Sequence, residues 1–249
     1  MRYVPLHVHS EYSLLDGAIR NKELIKFSKE NNFEAVAVTD HGVMYGALEL
    51  YRLSKDMQFK VILGCEFYVL HGDITQKDAT NRELYHLVLL AKNNTGYQNL
   101  VKLVSIAHID GFYYKPRINR EILEQHSEGL ICLSACIAGE LAQDILNGDK
   151  EKARETAKWY KNLFGEDYYI ELQDHRLEEQ KRSNPELIKI AQEMDIPLVI
   201  TNDSHYLKKE DASWHDTLLC IQTNALKKEE NRFRFSNNEF YVKTPEELR

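Results

Sequence analysis

Little in these 249 residues points to a staple, an anchor or a nucleotide cradle. The four cysteines, Cys65, Cys132, Cys136 and Cys220, include no C-x-x-C pair. A chain this long does not need disulfides, so a reduced, cytoplasmic protein is expected. No apolar run approaches the ~20 residues of a membrane span. The opening Met-Arg-Tyr-Val-Pro-Leu-His-Val-His-Ser lacks the apolar core of a secretion signal. G-x-G-x-x-G and G-x-x-x-x-G-K-[ST] loops are missing, as are internal repeats and low-complexity tracts. Positive charge is short too. A net charge of -7 argues against a dedicated nucleic-acid binder of the basic-patch type. It does not exclude an enzyme that handles a DNA end, because bound divalent cations would reverse the local sign.

What is present is alternation. Short apolar runs predict strands over residues 3–9, 35–39, 61–69, 84–91, 130–134, 168–172 and 198–201. Amphipathic stretches predict helices over 21–32, 46–56, 151–164 and 185–194, with Asn184-Pro185-Glu186 as a helix start. Repeated βα units imply a parallel sheet with right-handed crossovers. The expected fold is α/β, a distorted seven-stranded (β/α)7 barrel of the TIM type, with an open doubly wound sheet as the alternative. Residues 109–120 look least regular, being aromatic and basic: Gly111-Phe-Tyr-Tyr-Lys-Pro-Arg117. Thr244-Pro-Glu-Glu reads as another helix start. The chain is therefore expected to be one domain over 1–249, an N-terminal fragment of a longer polypeptide with 235–249 opening a linker.

Nine metal-competent residues lie at or near the C-terminal ends of these runs: His7, His9, Asp16, His41, Glu66, His86, Cys136, Asp203 and His205. Strand ends in an α/β barrel converge on one mouth. Nine groups exceed what one ion takes, which suggests two or three metals, and such clusters hydrolyse phosphate esters. On a strand, residues two apart share a face, so His7 and His9 form a natural chelate. Asp203 and His205 repeat that logic at the last strand. Glu66 interrupts an apolar run, where a carboxylate must be paired or bind a cation. Asp40 is placed to orient a neighbouring imidazole. Taken singly, His86 and Cys136 read equally well as core residues, and Asp16 as a turn residue.

These stretches resemble the polymerase and histidinol phosphatase (PHP) superfamily. The carrying segments are His7-Val-His-Ser-Glu-Tyr-Ser-Leu-Leu-Asp-Gly17, Thr39-Asp-His-Gly42, Gly64-Cys-Glu66, Tyr85-His-Leu-Val-Leu-Leu-Ala91, Leu133-Ser-Ala-Cys136 and Thr201-Asn-Asp-Ser-His-Tyr206. The Gly111–Arg117 stretch and Glu171-Leu-Gln-Asp-His175 resemble the branch that opens the α subunits of bacterial DNA polymerase III. The resemblance implies a three-ion cluster. His7 and His9 would share one ion with Glu66 and Asp203. Glu66 would bridge to a second ion held by His86 and Cys136. Asp16, His41 and His205 would hold a third. Asp203, His205 and Glu66 are the residues expected to carry catalysis. The donor types favour zinc or manganese, with magnesium as a further candidate.

The activity implied is 3′–5′ exonuclease proofreading on a single-stranded DNA 3′ end. Lys115, Arg117 and His175 are candidate phosphate or strand contacts, and the neighbouring tyrosines candidate stacking partners. The expected partners are DNA, the remainder of the polymerase chain and other replisome subunits, without a membrane. The alternatives are a small-molecule phosphatase of the histidinol-phosphatase kind and a metal-binding domain that only braces the polymerase.

Overall fold

The computed structural model describes residues 3–78 and 82–248. The chain divides into two compact units. The first comprises Met1–Asp40, Tyr45–Ile62 and Asn202–Arg249; the second comprises His41–Met44 and Leu63–Thr201.

In the first unit, residues 3–8 run beside strand β1 (Val36–Val38). The Ala37 N–H donates to the Pro5 carbonyl (2.8 Å) and Thr39 N–H to that of Val8 (2.8 Å). The strand expected over 3–9 therefore has ladder bonds, yet forms only isolated bridges, Val8 to Ser204 and Ser10 to Ile19. Pro5 lacks an N–H, which interrupts regular pairing. Helices α1 (Asn21–Glu30) and α2 (Ala47–Asp56) bury Leu24, Ile25 and Leu50. An Asn21 Nδ2–Glu49 Oε2 bond of 3.0 Å ties them together. Helix α8 (Ala212–Thr223), counted in chain order after the helices below, adds Leu219 and Cys220 to this core. The helix expected from Thr244 is a turn instead. Glu247 Oε2 accepts from Thr244 N–H (2.9 Å) and Oγ1–H (3.0 Å), closing the chain on itself.

The second unit holds most of a seven-stranded sheet. Its strands are β2 (Val61–Leu70, entering from the first unit), β3 (Tyr85–Ala91), β4 (Arg117–Asn119), β5 (Leu130–Leu133), β6 (Tyr168–Leu172) and β7 (Leu198–Ile200). They run β2-β3-β5-β6-β7, with β4 also paired to β2. The α/β class is as expected, but the sheet is mixed. β3 is antiparallel to both β2 and β5. Parallel neighbours need a crossover element, and the described residues between β2 and β3 contain no helix. β4 arises in the stretch that looked least regular.

Helices α3 (Asn94–Ile109), α4 (Arg120–Gln125), α5 (Glu140–Leu146), α6 (Lys150–Phe164) and α7 (Glu178–Met194) complete this unit. Alternation along β2 sends Cys65, Phe67 and Val69 into a core with Leu87, Leu89, Leu103 and Ile170. Glu66 and Tyr68 face the other side. Helix α7 begins seven residues before the expected proline start, with Pro185 inside it. Glu178 and Glu179 in its first turn suit the positive end of the helix dipole.

A buried carboxylate anchors α5. Glu140 accepts from Arg120 Nη2 (2.5 Å), His71 Nε2 (2.9 Å) and Tyr160 Oη (3.1 Å). Burial works against its charge, but His71 and Arg120 outweigh it and hold the carboxyl below its ordinary 4.5. A depressed folded value means this contribution is complete above pH about 4.5 and is lost as pH falls through the folded value. Glu140→Gln should therefore flatten the acid limb of stability below pH about 4.5. Urea midpoints across that range test it; an unchanged slope would remove Glu140 from the acid transition.

Candidate metal centre

Of the nine expected ligands, His7, His9, Asp16, Asp203 and His205 belong to the first unit and His41, Glu66, His86 and Cys136 to the second. In the first unit Asp203 Oδ1 lies 3.1 Å from His9 Nε2, 3.3 Å from His7 Nε2 and 3.6 Å from His205 Nδ1. His205 Nε2 is 3.3 Å from Asp16 Oδ2. The imidazoles of His9 and His205 stack at 4.4 Å. Burial opposes ionisation of Asp203, yet His7, His205 and His9 together hold its carboxyl well below the usual range. Asp203 adopts a left-handed φ of 41°, which aspartate tolerates better than most residues.

Hydrogen bonds fix which nitrogen each ring presents. Ser13 Oγ donates to Asp40 Oδ1 (3.0 Å), so the Ser13 hydroxyl oxygen in turn accepts from His9 Nδ1–H (3.0 Å). His9 Nε2 is thereby turned toward Asp203. His205 Nδ1–H donates to the Asp203 carbonyl (2.9 Å), which turns its Nε2 toward Asp16. At 3.1–3.3 Å from carboxylate oxygens, each Nε2 needs a positive charge between the two atoms, either a proton on the ring or a bound cation. The donor set thus fits a metal on its own chemistry. Asp40 reaches His9 through the Ser13 hydroxyl. It also accepts from Ser10 N–H (2.7 Å) and Ser10 Oγ–H (2.8 Å). Burial raises its pKa, against those hydrogen bonds and the pull of His9.

In the second unit Glu66 is buried at mid-strand in β2. Its Oε2 meets His41 Nδ1 at 2.8 Å and its Oε1 meets His86 Nδ1 at 2.9 Å. Cys136 Sγ stands 3.7 Å from His86 Nδ1 and 4.0 Å from Glu66 Oε1. The ligand atoms of His41, Glu66 and His86 all lie within 4.8 Å of one another, close enough to share an ion at ordinary bond lengths. Gly42 turns the chain just after His41 at φ 64°, where an added Cβ would sit 2.5 Å from Pro116 Cγ. Ala135, at φ 63°, re-aims the chain before Cys136.

Three side chains escaped sequence reasoning. Tyr68 packs its ring 5.9 Å from that of His41 and 5.3 Å from that of His86, as the β2 alternation could have indicated. His215 Nε2–H donates to the Asp16 carbonyl (2.6 Å) and gave no sequence signal. Ser13 orients His9 and reads in sequence as an ordinary loop serine.

The expected substrate contacts fare unevenly. Lys115 is exposed, with Nζ 3.3 Å from Tyr68 Oη. Arg117 is not on the surface at all. It is fully buried and donates to the carbonyls of Gly111 (2.7 Å), Ile74 (2.7 Å) and Gln76 (3.3 Å), so its guanidinium holds backbone rather than phosphate. His175 is also interior, its Nδ1 accepting from Gln180 Nε2–H (2.9 Å). Arg117→Lys should lower stability by about 2–4 kcal/mol, since one ammonium cannot serve three carbonyls. Urea unfolding checks this; a loss under about 1 kcal/mol would mean the carbonyls re-solvate freely.

Imidazole, carboxylate and thiol donors gathered on strands and the loops beside them are the donor set of a candidate divalent-metal site in an α/β chain. The sequence matches the PHP domain family over residues 5–175, and the chain belongs to that family. It is 49% identical to the DNA polymerase III subunit alpha of Treponema pallidum, covering 100% of this chain and 22% of that one. The same subunit of Borreliella burgdorferi is 45% identical, covering 99% and 22%, and that of Thermus aquaticus 44%, covering 100% and 21%. The chain thus spans about a fifth of the length of these relatives. A solved chain from Bifidobacterium adolescentis, provisionally assigned as a metal-dependent phosphoesterase, matches with TM-score 0.44 and 14% identity over 82% of this chain and 88% of that one. Among the described residues no helix is long and apolar enough to cross a membrane.

Proposed function

We propose that the chain is a metal-dependent phosphodiesterase that trims the 3′ end of single-stranded DNA, acting as the proofreading 3′–5′ exonuclease of a DNA polymerase III α subunit. The observation that carries the reading is the pair of imidazoles, His9 and His205, each held through Nδ1 so that Nε2 faces a carboxylate. Family membership and the polymerase relatives support the choice of DNA.

All nine residues, His7, His9, Asp16, His41, Glu66, His86, Cys136, Asp203 and His205, would act as ligands of two or three ions. The thiol and imidazoles make zinc or manganese the preferred ions. When bound, such ions supply Lewis acidity, neutralise phosphate charge and activate water. The protein's own part is orientation. Asp40, through Ser13, holds His9; the Asp203 carbonyl holds His205; and Glu66 offers one oxygen to each of two imidazoles. Lys115, exposed beside Tyr68, is placed to meet a backbone phosphate.

Metal analysis of the purified chain should find bound divalent metal. Hydrolysis of 3′-labelled single-stranded DNA should release mononucleotides and stop on chelation. Cleavage of small phosphate monoesters alone would favour the small-molecule phosphatase, and folded protein with neither metal nor hydrolysis would leave only a bracing role. Asp203→Asn and His9→Ala should each abolish hydrolysis and lower Tm in metal-loaded protein; wild-type rates in either would remove that residue from the mechanism. Lys115→Gln should cut kcat/KM on DNA by about tenfold, roughly one phosphate contact, while metal content stays unchanged.

A further inference from the structure

The first unit contains a cavity of about 410 Å³, within the range of small-ligand pockets. One wall is aromatic, from Tyr206, His215 and Phe235. Phe235 is wedged between Phe240, at 4.4 Å between centroids, and His205, at 5.0 Å. The cavity therefore adjoins a proposed metal ligand without using its donor atoms. A second wall is cationic. Arg232 clamps Asp216 through two bonds of 2.6 Å, its side chain 4% exposed and its Nε buried without a hydrogen-bond partner among the described residues. With Arg234, two guanidiniums face one carboxylate, so the wall carries net positive charge. Ser213, Asn237 and Asn238 complete the lining with groups that both donate and accept.

We propose that this cavity binds one nucleoside monophosphate unit, base on the aromatic wall and phosphate toward Arg234, with the Asp216-clamped Arg232 adding positive charge behind it. An aromatic face accepts any base, and the Arg234 guanidinium matches phosphate oxygens in a fork. The volume admits one nucleotide and excludes a duplex. Arg232-Phe-Arg-Phe235 supplies both chemistries from four consecutive residues. As the place where a strand end or its released nucleotide rests, the pocket rests on the phosphodiesterase reading. The binding itself does not require turnover.

The test is calorimetric titration of dAMP into the 249-residue chain, as purified and again in EDTA, with circular dichroism to verify the fold. Saturable one-to-one binding is expected in both, about tenfold or more tighter than for inorganic phosphate or deoxyadenosine alone. Arg234→Gln and Ser213→Trp, both at exposed positions, should each weaken it by about tenfold or more. A trinucleotide that binds more tightly than dAMP identifies a strand end as the occupant; equal affinity identifies the released nucleotide. Absent dAMP binding, wild-type affinity in both variants, or phosphate binding as tightly as dAMP would each overturn the assignment. No hydrolysis by metal-loaded protein, together with EDTA-resistant dAMP binding, would count against the phosphodiesterase reading alone. Hydrolysis without such binding would count against the pocket alone.

Discussion

A carboxylate buried in the middle of a strand must be neutralised where it stands, and Glu66 sets the terms for the rest of the second unit. Removing a charge from water costs several kcal/mol in real proteins unless partners surround it. The pleat of β2 leaves no alternative side, because Cys65 and Phe67 on either side of Glu66 already fill the core. Its two oxygens are met from different directions, by His41 at the end of one loop and His86 from β3. That requirement fixes the backbone around it. The Gly42 N–H donates to the Glu66 carbonyl at 2.7 Å, and the positive φ at Gly42 and Ala135 accommodates the loops that deliver His41 and Cys136. Left-handed backbone at a non-glycine residue is seldom kept unless its surroundings enforce it.

The first unit solves the same problem with Asp203. One carboxylate faces three imidazoles, and the arrangement is specified by what lies behind the rings. Ser13 and Asp40 act on His9, a backbone carbonyl acts on His205, and His215 braces the loop that carries Asp16. Such outer contacts decide which nitrogen carries the proton, and therefore which one can bind metal. A pair of buried histidines in an ordinary core would instead pair each ring nitrogen with a complementary donor or acceptor.

Several of the candidate ligands stood out in the sequence because they broke a local rule. His7 and His9 alternate with apolar residues, Glu66 sits in an apolar run, and Asp203 and His205 repeat the spacing of two. Those violations survive without knowledge of the fold. Strand positions were legible for the same reason, since 168–172 and 85–91 are apolar runs with clear ends. Strand direction was not legible. Nothing local to residues 85–91 says that β3 runs antiparallel; that depends on the connection preceding it. The start of α7 was misplaced because a proline after asparagine is a good first-turn signal, yet the preceding acids and Gln180 already extend the helix. His215 and Ser13 act only through tertiary neighbours, so no sequence pattern marks them.

Arg117 shows how neighbours in sequence can suggest a role that the fold does not allow. A basic residue among tyrosines reads as a strand contact, and the loop does present Phe112 and Tyr114 at 47% and 73% exposure. The guanidinium, however, runs inward. It ties the carbonyl of Gly111 to those of Ile74 and Gln76, two segments that would otherwise carry unsatisfied acceptors. Gly111 is required there, because an added Cβ would sit 2.0 Å from the Arg117 carbonyl. The Arg117 charge is thereby spent on backbone carbonyls. In an acidic chain, this division of labour turns Arg117 inward and leaves Lys115 exposed, while the buried carboxylates Glu66 and Asp203 are met by imidazoles.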